Sequence, residues 1–298
     1  MYSVYCVISN YNDYAWIDQC LGSLRSSRYP VKIIVVDDAS TDRSCEKIKA
    51  DYPEVLLIES DLNRGYSAAN NIGIQRAMDE HSDYIFLLNM DARIEPYTIS
   101  VLVENAEKHT EYGIISPMHL NGAGTEFDFL FETYINPMQY PELFSDMYLK
   151  KEKDLYGVHF VNSAAWLVKK EIFKEIGLLD EQFFIYGVDD NFTDRVRYNG
   201  FKIGVTPKAR IFHDRGNRKE KMLKSRTGYE TQLKNMKCIA LNPNFGMLEK
   251  LSIGVRKSLR NMYRNIQEDN GVKIFQDLKI LFYSVYFNVR YNKKYKNG

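Results

Sequence analysis

The chain has 298 residues, 45% of them hydrophobic and 27% charged, enough for one large α/β domain with an appendage or for two modest domains. A formal net charge of +1 excludes a uniformly basic or acidic binder, yet it conceals a division. Residues 1–214 carry 21 Lys+Arg against 33 Asp+Glu, a balance of −12, whereas residues 215–298 carry 19 against 6, a balance of +13.

Strand and helix patterns alternate through the first half. Val4 to Ser9 reads as a strand, and Trp16, Leu21 and Leu24 give a helix after Asn12-Asp13. Ile33-Ile34-Val35-Val36 is a second buried strand that ends in Asp37-Asp38, and Ser40-Thr41-Asp42 is expected to cap a helix running to about Tyr52. Val55 to Ile58 is a third strand, Ser67 to Met78 a helix, and Tyr84-Ile85-Phe86-Leu87-Leu88 a fourth strand, short and apolar enough to be buried on both faces. This alternation predicts an α/β fold with a mostly parallel sheet flanked by helices. Asn121 to Tyr156 lacks regular periodicity and reads as an insertion or loop. Val158 to Val168 resumes as a strand, Lys170 to Ile176 is a short helix, and Asp189-Asp190 opens a helix that ends near Tyr198. From Asn217 onward helical patterns dominate.

Three of these strands run into polar residues: Asn10-Tyr11-Asn12, Asp37-Asp38 and Asn89-Met90-Asp91. The carboxyl ends of strands are where open α/β sheets bind ligands. A buried carboxylate is costly there without a cation, and a divalent metal bridging the phosphates of a nucleotide would supply one. Taken alone, the Asn-x-Asp triplet reads equally well as a strand-end turn that caps the next helix. Tyr11 offers a flat face for stacking a nucleobase, or is a core tyrosine. An ionised Asp38 can accept the imide N–H of uracil or thymine, while Asp37 suits orienting the loop or capping a helix. Arg64 is placed to pair with phosphate or to lie on the surface. Gly65 permits close backbone approach to a nucleotide, and Asn71 presents an amide suited to ribose or to the Asn-x-Asp loop.

Four segments together resemble the family 2 inverting glycosyltransferases, over roughly residues 1–240. They are Val7-Ile8-Ser9-Asn10-Tyr11-Asn12, Val35-Val36-Asp37-Asp38-Ala39-Ser40-Thr41-Asp42, the stretch from Asn63-Arg64-Gly65-Tyr66 to Asn70-Asn71-Ile72-Gly73, and Leu87-Leu88-Asn89-Met90-Asp91, the last in the form common among rhamnosyltransferase-like members. The resemblance implies a GT-A fold and transfer of a sugar, with inversion, from a UDP- or dTDP-linked donor to a glycan or lipid-linked glycan. It implies that Ser9, Tyr11, Asp37, Asp38, Arg64, Gly65, Asn71 and Asn89 form the nucleotide site. Asp91 would hold Mg²⁺ or Mn²⁺, with His213 as a further ligand or a plain structural histidine. The base expected from a Glu-Asp pair falls on Tyr186-Gly187-Val188-Asp189-Asp190, where Val188 stands in the Glu position. Asp189 is the expected base and Asp190 its neighbour. Asn162-Ser163-Ala164-Ala165-Trp166 resembles the segment lining the acceptor cleft, with Ala165 and Trp166 at the acceptor; a core tryptophan is the competing reading.

These readings divide the chain into a catalytic domain over 1–214, with a nucleotide-sugar half to about 118 and an acceptor half over 119–214, and a basic helical extension over 215–298. Leu251, Val255, Leu259 and Met262 share one helical face with Arg256, Lys257, Arg260 and Arg264 around it, and Arg290, Lys293, Lys294 and Lys296 close the chain. Such a tail suits an anionic membrane surface, or packs on the body or in a homodimer; nucleic acid is not expected as a partner. Cys6, Cys20, Cys45 and Cys238 show no CxxC spacing, which favours a reducing cytosol. No secretory leader is read at the start, and no run approaches the ~18–20 apolar residues of a membrane span. The expected location is therefore cytoplasmic, with peripheral contact at the inner membrane face. Two other readings compete. A sugar-nucleotide pyrophosphorylase would need a Gly-rich basic loop after the first strand, which Ser9 to Tyr14 lacks. A non-catalytic scaffold sits poorly with the joint presence of Asp38, Asp91 and Asp189.

Overall fold

The computed structural model describes residues 1–216, 229–267 and 271–291, which fall into two compact units, Met1–Gly216 and Asn217–Gly298. The first unit opens with β1 (Val4–Asn10), a 3-10 turn at Tyr14–Trp16, α1 (Ile17–Arg25), β2 (Val31–Asp37), α2 (Ser44–Asp51), β3 (Leu56–Glu59), α3 (Tyr66–Asp79) and β4 (Tyr84–Leu88). It continues through β5 (Ala92–Ile94), α4 (Thr98–Lys108), β6 (Tyr112–Asn121), α5 (Phe129–Tyr134), α6 (Pro141–Leu149), β7 (Tyr156–Val158), β8 (Ala165–Lys169), α7 (Lys170–Ile176), α8 (Val188–Tyr198) and β9 (Lys202–His213).

The strands form one sheet in the order β3-β2-β1-β4-β8-β6-β9-β5, with β7 paired to β9. The β3-β2-β1-β4 half is parallel throughout, as expected of strands joined by helical crossovers. Beyond β4 the sheet is mixed: β8 runs antiparallel to both β4 and β6, and β9 is parallel to β6 but antiparallel to β5. The result is a GT-A-type α/β sheet flanked by helices. Alternation along the strands divides its two faces. Val4, Cys6 and Ile8 of β1 and Phe86 and Leu88 of β4 join Leu21 and Leu24 of α1 and Ile48 of α2 in one apolar cluster. The opposite face receives α3, and there Gly73 is required, since a Cβ would stand 2.4 Å from Val7 Cγ1. Each large apolar side chain fully buried in these layers stabilises the fold by about 1.5–3 kcal/mol.

Several expectations change in detail. The second helix begins at Ser44 with Arg43 in the capping position. Asp42 does accept from the Ser44 N–H, but Ser40 and Thr41 bond to Asp37 and Asn12 instead. Residues 121–156 contain two helices, α5 and α6. Their signals were present: Asp128 caps α5 by accepting from the Leu130 and Phe131 amides, and Pro141 opens α6, as proline at a first helical position does. The stretch read as one strand over 158–168 is two, β7 and β8, which pair with different neighbours.

The second unit comprises α9 (Tyr229–Leu241), α10 (Met247–Gln267) and α11 (Gly271–Tyr291). No helix among the described residues is long and apolar enough to cross a membrane. Lys293, Lys294 and Lys296, counted above among the basic residues of the tail, lie outside the described residues.

Candidate functional site

Parallel pairing of β2, β1 and β4 brings their carboxyl ends to one edge of the sheet, the usual ligand edge of an open α/β sheet. At the end of β2, Asp37 is buried and held by its own chain. Its Oδ1 accepts from Asn10 Nδ2 at 2.6 Å and from Ser40 Oγ at 2.6 Å, and its Oδ2 from the Ser40 N–H at 2.9 Å. Asp37 therefore shapes the loop. Asp38 Oδ1 and Oδ2 accept from the backbone N–H groups of Arg64 and Gly65, both at 2.8 Å. Asp38 is thus an anchor for the turn into α3, and with about four acceptor sites on a carboxylate it retains two for a further donor. Tyr11 is 47% exposed, so its ring is open to stacking, and the Arg64 side chain is exposed too. Ser9, half-buried, lies opposite Val36 in the β1–β2 register.

Gly65 serves a different neighbour from the one expected. Its φ is +85°, and a Cβ there would meet the Phe184 carbonyl oxygen at 2.4 Å. The backbone that approaches it belongs to the loop preceding α8, where the Phe184 carbonyl accepts from the Tyr66 N–H at 2.7 Å and the Phe183 carbonyl from Ser67 Oγ. Asn71 is spent on the same loop: its Nδ2 donates to the Leu179 carbonyl and to Glu181 Oε1, and its Oδ1 accepts from the Leu179 N–H. This corrects the expectation that Asn71 faces ribose or the Asn-x-Asp turn. The start of α3 holds in place the loop that delivers Asp189.

At the end of β4, Asp91 Oδ1 lies 3.1 Å from His213 Nε2, with both side chains largely buried. The other ring nitrogen of His213 stands 3.8 Å from Asp128, whose carboxylate accepts from Arg215 Nε at 2.5 Å and Nη2 at 3.1 Å. Burial works against the Asp128 charge, but the Arg215 hydrogen bond and the positive groups around it hold its pKa below the ordinary carboxylate value. Beside them His119 is fully buried, and burial pushes its imidazole down to about 3. A carboxylate and an imidazole are a donor pair that Mn²⁺ accepts, with phosphate oxygens and waters completing the shell. No cluster of three or more His, Cys, Asp or Glu suited to a metal occurs among the described residues; Asp91 and His213 are the residues here that could hold one.

Asp189 and Asp190 stand in the first turn of α8, where the helix dipole favours negative charge. Val188, in the position of the family's Glu, is buried and has no proton-accepting atom. Ser163 Oγ donates to Asp189 Oδ1 at 2.5 Å, Tyr66 OH lies 2.9 Å from Ser163 Oγ, and 3.3 Å separates Tyr66 OH from Asn89 Oδ1. One polar chain thus runs from Asp189 to the Asn-x-Asp turn. Burial, then the nearby Asp189 charge, raises the Tyr66 pKa, so the phenol keeps its proton. Trp166 does not line a cleft. It is fully buried, paired with Leu87 across β4–β8 and stacked on Phe192 of α8 at 5.8 Å. Ala165 is also buried, its carbonyl accepting from Ser116 Oγ. Both belong to the core, and the acceptor role expected of them does not survive. Sequence reasoning missed Tyr66, Ser163, Asp128 and Arg215. For Asp128 the signal was its capping position; for Tyr66 the only signal was its place directly after Gly65 in a motif segment.

A sheet with this topology, whose parallel strands gather acidic residues at one edge, defines an α/β protein of GT-A type. Residues 5–177 match the family model described as Glycosyl transferase family 2, and the chain belongs to that family. It is 29% identical over 191 residues to a low-salt glycan biosynthesis hexosyltransferase of Haloferax volcanii, covering 61% of this chain and 59% of the relative, so the match spans less than two thirds of that protein. It is 22% identical over 229 residues to an N-acetylglucosaminyl-diphospho-decaprenol L-rhamnosyltransferase of Mycobacterium tuberculosis, covering 67% and 72%. Among solved structures, a mannosyltransferase of Pyrobaculum calidifontis in complex with GDP-Man and Mn²⁺ superposes with a TM-score of 0.58 at 14% identity, covering 100% of this chain and 76% of that one. That likeness shows the fold.

Proposed function

We propose that the protein is an inverting, metal-assisted hexosyltransferase that moves one sugar from a UDP- or dTDP-linked donor to a glycan or lipid-linked glycan. The observation that carries this is the run of polar contacts in which Ser163 donates to Asp189, and Tyr66 OH lies 2.9 Å from Ser163 Oγ and 3.3 Å from Asn89 Oδ1, linking a carboxylate on α8 to the turn that carries Asp91. In this reading Tyr11 stacks on the base, Asp38 meets it with its remaining acceptor sites, and Arg64 pairs with phosphate. Asp91 and His213 would hold Mg²⁺ or Mn²⁺, whose positive charge would favour departure of the nucleoside diphosphate. Asp189 takes the proton of the attacking acceptor hydroxyl as the new bond forms at the sugar's anomeric carbon. Inversion follows from that single displacement. Donor binding falls to residues 1–118 and acceptor binding to 119–214, with 215–298 as a separate extension. Cys6 and Cys20 are buried free thiols, which supports a cytoplasmic setting.

The test is incubation with a panel of UDP- and dTDP-sugars and Mn²⁺, following release of nucleoside diphosphate and the anomeric configuration of the product. Turnover of at least one donor with inverted configuration is expected. Retained configuration would refute the single displacement, and formation of pyrophosphate from a nucleoside triphosphate and a sugar phosphate would favour a pyrophosphorylase instead.

A further inference from the structure

In the helical unit, Met236, Ala240, Leu241 and Ile280 are buried apolar residues, but most of what is buried along α10 and α11 is polar or small. The faces that α10 and α11 turn inward carry Gly254, Ser258 and Asn265 on one helix and Asp277, Ser284 and Asn288 on the other. Asn265 Nδ2 donates to Asp277 Oδ2 at 2.6 Å in the interior, and a Cβ on Gly254 would overlap the Ser284 hydroxyl at 1.8 Å. Meanwhile the outer face of α11 exposes Phe275, Leu278, Phe282, Val285 and Val289, at spacings of three and four that make a single stripe. Phe282 and Val289 are 66% and 64% exposed, whereas Asp277, Ser284 and Asn288 are each 1% exposed. The stripe continues in kind on α10 with Leu259, Tyr263 and Ile266. The face expected from the sequence is only partly open: of Leu251, Val255, Leu259 and Met262, only Leu259 is exposed.

Small and polar residues between helices with apolar residues outside is the arrangement found when the surroundings of a helix pair are apolar. The charge at the rim selects which apolar surroundings. Arg256, Arg260 and Arg264 on α10 and Lys273, Lys279 and Arg290 on α11 are exposed, and the exposed acid on these helices is Glu249. A second copy placed on this face by a twofold axis would set basic rim against basic rim. An anionic lipid surface meets both features at once.

We propose that the outer face of α11, with the adjoining apolar residues of α10, seats in the interfacial layer of an anionic lipid surface. It lies in the headgroup region without crossing, as a charged amphipathic helix does. The inference rests on the helical unit alone and is independent of the chemistry assigned to residues 1–214.

Flotation of the full chain with phosphatidylglycerol/phosphatidylcholine vesicles, against phosphatidylcholine alone, tests it. The protein is expected to float with the anionic vesicles at low salt and to bind them about fivefold more weakly for each rim Arg or Lys changed to Gln. The double substitution Phe282→Asp and Val289→Asp, both at exposed positions, is expected to lower the bound fraction about tenfold or more with an unchanged far-ultraviolet dichroism spectrum. In a separate variant, Phe282→Trp, the new indole is expected to shift its emission to the blue when anionic vesicles are added. A chain that stays in the soluble fraction at low salt overturns the proposal, as does equal binding to neutral vesicles. So does a dimer in sedimentation that the double substitution turns into a monomer with no change in flotation, which would place a second copy on the face.

Discussion

Asp91 Oδ1 and His213 Nε2 stand 3.1 Å apart although 122 positions separate the residues in the chain. The antiparallel pairing of β5 with β9, in which Ala92 faces His213, closes that distance, and the Asp214 N–H, donating to the Asp91 carbonyl at 2.7 Å, fixes the backbone beside it. A pair so held is a carboxylate and an imidazole that could share a divalent cation.

If this pair holds the metal, Mn²⁺ with UDP or dTDP at about a hundredfold excess over Kd should stabilise the native chain by about 2.7 kcal/mol, seen as a Tm rise of roughly 5–10 °C. Asp91→Ala should lose nearly all of that rise and His213→Ala most of it, with both variants folded in the absence of ligand. A full metal-dependent rise in Asp91→Ala would remove Asp91 from the site.

The base assignment has its own signature. Asp189→Asn keeps the shape of the side chain and its place beside Ser163 but cannot accept a proton, so kcat should fall by about 10²–10⁴, while the Kd for nucleoside diphosphate stays within about twofold. Single-turnover kinetics beside calorimetric titration would separate the two quantities. An inactive Asp190→Asn beside an active Asp189→Asn would reverse the roles of the two carboxylates.

Much of residues 1–118 was legible because the signals there are local. Buried apolar runs ending in Asp37-Asp38 and Asn89-Met90-Asp91 give both the strands and the sheet edge they share. What stayed hidden depends on contacts between distant segments. Gly65 advertised close approach, but nothing near it in the chain says that Phe184 is the group that approaches. Trp166 follows a run of small residues that read as a cleft lining, and only the β4–β8 pairing shows that its ring lies in the core against Phe192. Asp128 and Arg215 are 87 positions apart and become partners only when β9 returns beside β6.

Trp166 tests that distinction. As a core ring stacked on Phe192, its loss in Trp166→Ala should destabilise the chain by about 3–5 kcal/mol, visible as a lower midpoint in urea. Trp166→Phe should recover most of that stability with acceptor KM unchanged. A large rise in acceptor KM at native stability would return the residue to the acceptor site.

Gly65→Ala should act through the loop. The substitution forces a Cβ into the Phe184 carbonyl and a side chain into a positive-φ conformation, a strain of about 1–3 kcal/mol. Because Phe184 lies five positions before Asp189, the same change should also lower kcat. A variant with native Tm and native kcat would mean the loop does not depend on this contact.

His119 gives a pH dependence whose sign follows from its environment. Burial lowers its pKa to about 3 in the folded protein, against about 6.5 in an unfolded chain. Below pH 6.5 the unfolded state therefore binds a proton that the folded state does not. The contribution of His119 to stability is full above about pH 6.5 and is lost progressively as the pH falls toward 3, at a slope of about 1.4 kcal/mol per pH unit. His119→Gln removes the titrating group and leaves an amide to meet Ser116, whose hydroxyl lies 3.0 Å from the ring in the native protein. Urea denaturation of the metal-free protein at pH 7, 6, 5 and 4 should show the native chain losing stability more steeply than the variant, by about one proton's worth of slope. Equal slopes would mean that the imidazole takes up its proton in the folded state and that the interior around β6 admits the charge.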